Sequence, residues 1–137
     1  MVGTAPHQWP IRVYWEDTDA GGVVFFANYL KFFERARTEW LRALGLSQHH
    51  LRQTHGGMFV VRDMHVRYHV SAKLDDALHV TTHVTRVGGA SVALQQSLVH
   101  PNTTTALCDT TLRIGWVDAQ RLQPARMPSI LMEALQP

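Results

Sequence analysis

The chain has 137 residues and a mass of 15.5 kDa, one domain that buries about two thirds of its unfolded surface without disulfide or metal staples. Thirteen Lys and Arg against eleven Asp and Glu leave a formal charge of +2, yet the pI of about 9.0 has no basic run behind it. With Lys31 and Lys73 the only lysines, a nucleic-acid binder with a clustered basic stripe is excluded.

Only 18% of residues are charged, against about a quarter in an average domain, so burial against sister subunits is expected. The single Cys108 cannot close an internal disulfide and fits a reducing compartment. Met1–His7 shows neither a basic n-region nor an apolar h-region, and no apolar run approaches the ~18 residues of a membrane span. The expectation is a cytoplasmic chain with no membrane span.

Trp9–Trp15 reads as a first strand, rich in β-branched and aromatic residues after Pro10. The run Glu16-Asp17-Thr18-Asp19-Ala20-Gly21-Gly22 breaks it. From about Phe26 to Leu44, apolar residues recur at spacings of three and four through Phe33, Ala36, Trp40 or Leu41 and Leu44. That period predicts a long amphipathic helix, with Asn28 as N-cap and Gly45 just past its end. Ser47 to about His55 reads as a short second helix, capped by Ser47 and closed by Gly56-Gly57.

Alternation then predicts four strands. Met64, Val66, Tyr68 and Val70 share one face of the first, and Leu78, Val80, Thr82 and Val84 repeat the pattern in the second. Ser91–His100 forms the third, and Ala106, Cys108, Thr110, Leu112, Ile114 and Trp116 line the inner face of the last. Gly88-Gly89 and Pro101-Asn102 supply turns, and Pro128 opens a terminal helix over Ser129–Leu135. The order gives a single α+β domain over residues 1–137, its main helix packed on one face of an antiparallel sheet.

Nine histidines raise the question of a metal. His65 and His69, like His79 and His83, are four apart on strands, roughly 13 Å, too far to share an ion. Neither a metal nor another cofactor is expected. The segment from Asp17 begins like a calcium loop, but its twelfth position is Asn28, where a bidentate Glu is required. As a pair on one strand face, Asp17 and Asp19 would lie roughly 7 Å apart, as in a glycosidase, yet the chain has no long loops for a sugar cleft. The plainest reading is a solvated strand end or a capping turn.

The residues after these acids favour chemistry. A Gly-Gly turn and the apolar run Val23-Val24-Phe25-Phe26 set a carboxylate beside the start of the long helix. Free backbone N–H groups and the positive end of the helix dipole can there polarise a carbonyl or hold an oxyanion. A thioester suits this arrangement, because a thiolate with a conjugate-acid pKa of about 8.5 departs without a strong general acid. One carboxylate, as base or nucleophile, then suffices.

The segment Val13-Tyr14-Trp15-Glu16-Asp17-Thr18-Asp19-Ala20-Gly21-Gly22-Val23-Val24-Phe25-Phe26-Ala27-Asn28-Tyr29 continues through Phe33-Glu34-Arg35-Ala36-Arg37-Thr38-Glu39. It closely resembles the 4-hydroxybenzoyl-CoA thioesterase family, and within it the YbgC-type acyl-CoA thioesterases associated with the Tol-Pal system. The resemblance takes in Phe59-Val60-Val61-Arg62 and Leu74-Asp75-Asp76, nearly the whole chain. It implies a hotdog fold, in which the antiparallel sheet wraps one long central helix, with subunits joined as dimers or tetramers and the active sites between them. It also implies an acyl-CoA thioesterase, with Asp19 as general base or nucleophile and the backbone amide of Phe26 polarising the carbonyl.

Gly21, Gly22, Val24, Phe59, Val60 and Arg86 would then meet the substrate. Phe59 and Val60 would do so from the partner subunit, although as apolar residues at a strand start they read first as ordinary core, and Arg86 reads equally as a plain surface arginine. The thioester would be carried by CoA or by acyl carrier protein. Two departures stand out. Phe25-Phe26 replaces the Tyr-His common in YbgC-type members, and Arg86-Val87-Gly88-Gly89-Ala90-Ser91 lacks the basic cluster that some relatives use for CoA phosphates. The first keeps open a second reading, a non-catalytic module that binds acyl thioesters or acyl carrier protein.

Overall fold

Apolar residues two apart in strands and three or four apart in a helix leave water together when the sheet curls over the helix's apolar stripe. The computed structural model, which describes residues 6–137, has that architecture; Met1–Ala5, part of the segment read for a signal peptide, lie outside the described residues. The elements are β1 (His7–Arg12), α1 (Tyr29–Ala43), α2 (Gln48–His55), β2 (Gly57–Tyr68), β3 (Ala77–Val87), β4 (Ser91–Val99), β5 (Ala106–Asp118) and α3 (Ser129–Ala134). The five strands pair antiparallel in the order β1-β3-β4-β5-β2, so β1 and β2 are the two edges.

The core has two halves strung along α1. Phe32, Phe33 and Ala36 pack with Val13, Val80 and Leu98. Trp40 and Leu41 pack with Leu51, Leu94, Trp116 and Leu131. Each such large side chain contributes about 1.5–3 kcal/mol by leaving water. A buried polar chain crosses between the layers: Arg37 Nη1 donates to Gln96 Oε1 at 2.9 Å, and Gln96 Nε2 donates to Thr82 Oγ1 at 2.9 Å and to the Phe33 carbonyl at 3.0 Å. The helix ends as its sequence predicts. Gly45 adopts φ +75°, the Leu46 N–H reaches the Leu41 carbonyl at 2.8 Å, and the Gly45 N–H reaches that of Arg42 at 3.0 Å. Ser47 Oγ accepts from the His50 N–H at 3.2 Å and caps α2.

Three boundaries differ from expectation. β1 stops at Arg12, where its register with β3 ends at Ala77; Val13 instead exchanges backbone bonds with Asp75 and Asp76. Trp15–Asp17 therefore forms a 3-10 turn that leaves Trp15 exposed. A second 3-10 turn, Phe26–Asn28, precedes α1. β2 begins earlier than the alternation indicates, at Gly57, and Val70 lies beyond its end. Met64 and Val66 pack against the core, but Tyr68 and Val70 are exposed, because this end of β2 runs past α1 and lies over the Phe26–Asn28 turn.

Candidate active site

Thr18 and Val24 form an isolated antiparallel bridge that closes a tight loop. Inside it the Asp19 N–H donates to the Val23 carbonyl at 2.9 Å and the Gly22 N–H to the Asp19 carbonyl at 3.1 Å. Gly22 has φ +79°, a conformation that side-chain-bearing residues resist. The Gly21 N–H donates to Asp19 Oδ1 at 2.8 Å, and a Cβ on Gly21 would stand 3.3 Å from the same oxygen. The two glycines thus set the position of the Asp19 carboxylate, which is exposed and has no partner on Oδ2 among the described residues.

Asp17 does a different job. It is buried, its Oδ2 accepts from the Tyr14 N–H and its Oδ1 from Asn28 Nδ2, both at 2.8 Å. Its carbonyl accepts from the Phe25 N–H at 3.1 Å. Asp17 and Asp19 are therefore no acid–base pair on a strand face. Asn28 occupies the N-cap position, but its side chain is turned to Asp17 and caps nothing.

At the helix start, neither the Phe26 nor the Ala27 N–H has an acceptor among the described residues, as expected for the first donors of a helical turn. Tyr68, the last residue of β2, donates its hydroxyl to the Phe26 carbonyl at 2.9 Å. Tyr29 Oη accepts from the Ala72 N–H at 3.0 Å, while the Ala72 carbonyl accepts from the Val24 N–H at 2.9 Å. Val24, Phe26, Tyr29, Tyr68, His69 and Val70 line a shallow groove of about 240 Å³. Burial pushes the pKa of the Tyr29 and Tyr68 hydroxyls up, which keeps both protonated. The Phe25 and Phe26 rings, 4.8 Å apart, are both exposed beside it.

Asp19, Gly21 and Gly22 thus share the loop that Thr18 and Val24 close, and Phe26 opens the 3-10 turn that follows it. Val24 is buried beneath it in the core, although it also borders the groove. Phe59 belongs to the other half of the core, packed on Trp116 at 5.2 Å, and Val60 lies half-buried in a separate groove with Glu34 and Arg37. Arg86 is exposed on β3 opposite Ala93.

The structure adds residues that no spacing announces. Tyr68 and the Ala27 amide join the junction. At the β3–β4 turn, Arg126 Nη1 lies 3.3 Å from where a Cβ on Gly89 would stand, and the Arg62 stem crosses Gly115, where a Cβ would meet Cδ at 2.7 Å. Arg126 thus reaches the β3–β4 turn, while Arg62 lies over β5 at Gly115. Among the described residues, no three His, Cys, Asp or Glu side chains group as a metal site, and no helix is long and apolar enough to cross a membrane.

Comparison with known proteins shows the family. Residues 13–135 match the model of the thioesterase-like superfamily. The chain is 46% identical over 119 residues to the acyl-CoA thioesterase YbgC of Haemophilus influenzae, covering 87% of this chain and 86% of that one. It is 42% identical over 131 residues to the acyl-CoA thioester hydrolase YbgC of Escherichia coli, covering 96% of each. A crystal structure of a probable thioesterase from Bartonella henselae superposes with a TM-score of 0.83 at 34% identity, over 90% of this chain and 100% of that one. The protein is a hotdog-fold member of the thioesterase-like superfamily.

Proposed function

We propose that this protein hydrolyses acyl-CoA thioesters, giving the carboxylic acid and free CoA. The observation that carries this reading is the junction itself: an exposed Asp19 carboxylate, held through Oδ1 by the Gly21 N–H in the loop that Thr18 and Val24 close, followed in the 3-10 turn leading into α1 by two amides without an acceptor among the described residues. The relatives named above as acyl-CoA thioesterases support it at 42–46% identity.

In this reading the thioester carbonyl oxygen lies against the Phe26 N–H, where the helix dipole and the missing acceptor favour developing negative charge. The free Oδ2 of Asp19 takes a proton from water as water adds to the carbonyl carbon, or itself adds to give an anhydride that water then opens. The tetrahedral intermediate collapses by breaking the C–S bond, and the thiolate leaves without an acid. Exposed Phe25 and Phe26 give the acyl or aryl group an apolar wall. Arg86, near the end of β3, and Arg126, which reaches Gly89 in the β3–β4 turn, meet the phosphate-bearing end of CoA in this reading.

The working unit in this reading is a homo-oligomer acting in the cytoplasm, a dimer or a pair of dimers. Two features support a second copy: β2 is an unpaired edge twelve residues long, and Leu30, Val61 and Met64 leave an open apolar groove beside it. Phe59 and Val60 then reach substrate only from a partner subunit.

The replacement of histidine by Phe26 favours a second reading, binding without turnover of acyl-CoA or acyl carrier protein. Thiol release from a panel of acyl-CoA chain lengths separates the two. Turnover on at least one is expected; calorimetric binding with no thiol released on any would replace hydrolysis by binding.

A further inference from the structure

The Phe26 carbonyl and the Ala27 N–H belong to the same peptide group, which is planar and trans, so they point in opposite directions along one line. Whatever fixes the carbonyl therefore fixes the N–H. Tyr68 fixes it. Its hydroxyl donates to the Phe26 oxygen at 2.9 Å, and its ring is wedged edge-on against Tyr29 at 5.4 Å and Phe26 at 6.4 Å. Tyr29 is in turn immobilised by burial and by the Ala72 N–H. The Ala27 N–H, on the far side of the pinned peptide, has no acceptor among the described residues, and neither has the Phe26 N–H next to it. N–H groups in the first turn of a helix point the same way along its axis, so the two donors are aimed together.

We infer that Tyr68 is a positioning residue for a two-donor oxyanion hole, in which its grip on the Phe26 carbonyl directs the Ala27 N–H at the same developing charge as the Phe26 N–H. This rests on the hydrolase reading above. It gives the end of β2 a role in the reaction, exerted through the peptide that Tyr68 holds. It also makes the junction less dependent on the side chain at position 26, since both donors are backbone groups. The hydroxyl is protonated, and hence a donor, because an ordinary phenol ionises only near pH 10, and desolvation moves Tyr68 further up.

The test is Tyr68→Phe, which keeps the ring contacts and removes only the donor, measured on the acyl-CoA that the wild type turns over fastest. A positioned oxyanion donor is worth about 10²–10³ in kcat, and loosening one of two is expected to cost roughly tenfold in kcat, with KM and melting midpoint unchanged. A second readout is spectroscopic. The same acyl-CoA, ¹³C-labelled at the thioester carbonyl, is bound to Asp19→Asn protein, and its infrared carbonyl stretch falls as the oxygen is polarised. In Asp19→Asn/Tyr68→Phe protein part of that fall is expected to be lost at unchanged affinity. A Tyr68→Phe enzyme with wild-type kcat, or identical stretches in the two proteins, would overturn the role of Tyr68 and leave the hydrolase reading standing. Wild-type turnover by Asp19→Asn would overturn the site, and Tyr68 with it.

Discussion

The side-chain amide of Asn28 donates to Asp17 Oδ1 at 2.8 Å, joining the start of α1 to the turn after β1 across eleven residues. The bond divides the labour of two aspartates two positions apart. Asp17 is buried and holds the junction together, while Asp19, at the tip of the loop between, is free to meet water.

Asp17→Ala removes the acceptor of two donors, the part-buried Tyr14 N–H and the buried Asn28 Nδ2. Leaving each unsatisfied costs about 1–3 kcal/mol, so a loss of roughly 3 kcal/mol is expected in urea unfolding. A stability equal to wild type would show that the tie to Asn28 contributes nothing.

The two glycines separate by what their substitution changes. Gly22→Ala places a Cβ on a residue at φ +79° with open space around it, so backbone strain of about 1 kcal/mol is expected in thermal unfolding. Gly21→Ala puts a Cβ 3.3 Å from Asp19 Oδ1 in an ordinary backbone conformation, so stability holds while kcat falls as the carboxylate is displaced. Equal effects on kcat would contradict distinct roles.

Burial, with Asp109 adding to it, pushes the Cys108 thiol up to about 12. A raised thiol pKa means the neutral form is favoured in the fold. The associated stability is complete below the ordinary value near 9 and is lost as pH rises from there toward 12, because the unfolded chain ionises first. At pH 8 the native protein is expected to leave DTNB uncoloured and the urea-unfolded protein to react with one thiol per chain. Rapid labelling of native protein would show Cys108 to be accessible.

If the arginines at the β3–β4 turn hold CoA phosphates, Arg126→Gln and Arg86→Gln each raise KM for acyl-CoA by roughly two- to fivefold, the worth of an exposed charge contact. The same variants leave hydrolysis of an acyl-N-acetylcysteamine, which has no phosphate, unaffected. An equal change on both substrates would place the arginines outside phosphate recognition.

Much of this was legible in the sequence because it is local. The helix period from Tyr29 to Leu41, the stop at Gly45 and the cap at Ser47 depend on neighbours within a few positions, and all three stand in the structure. Trp15 misled because aromatic and β-branched residues favour strands, whereas the pairing register with β3 had already ended at Arg12. Asp17 and Asp19 could not be told apart by type or spacing; their difference comes from Asn28 and from the loop closed by Thr18 and Val24. Tyr68 and Arg126 escaped for a related reason. Each reaches its place through strand pairing or chain return over tens of residues, and neither lies in a motif that names its partner.

The most direct measurement is steady-state thiol release by Asp19→Asn, paired with calorimetric binding of the same acyl-CoA. With Asp19 as base or nucleophile, kcat falls by about 10³-fold or more while binding and the melting midpoint stay at wild-type values. Turnover within a few fold of wild type would contradict the assignment of the chemistry to Asp19.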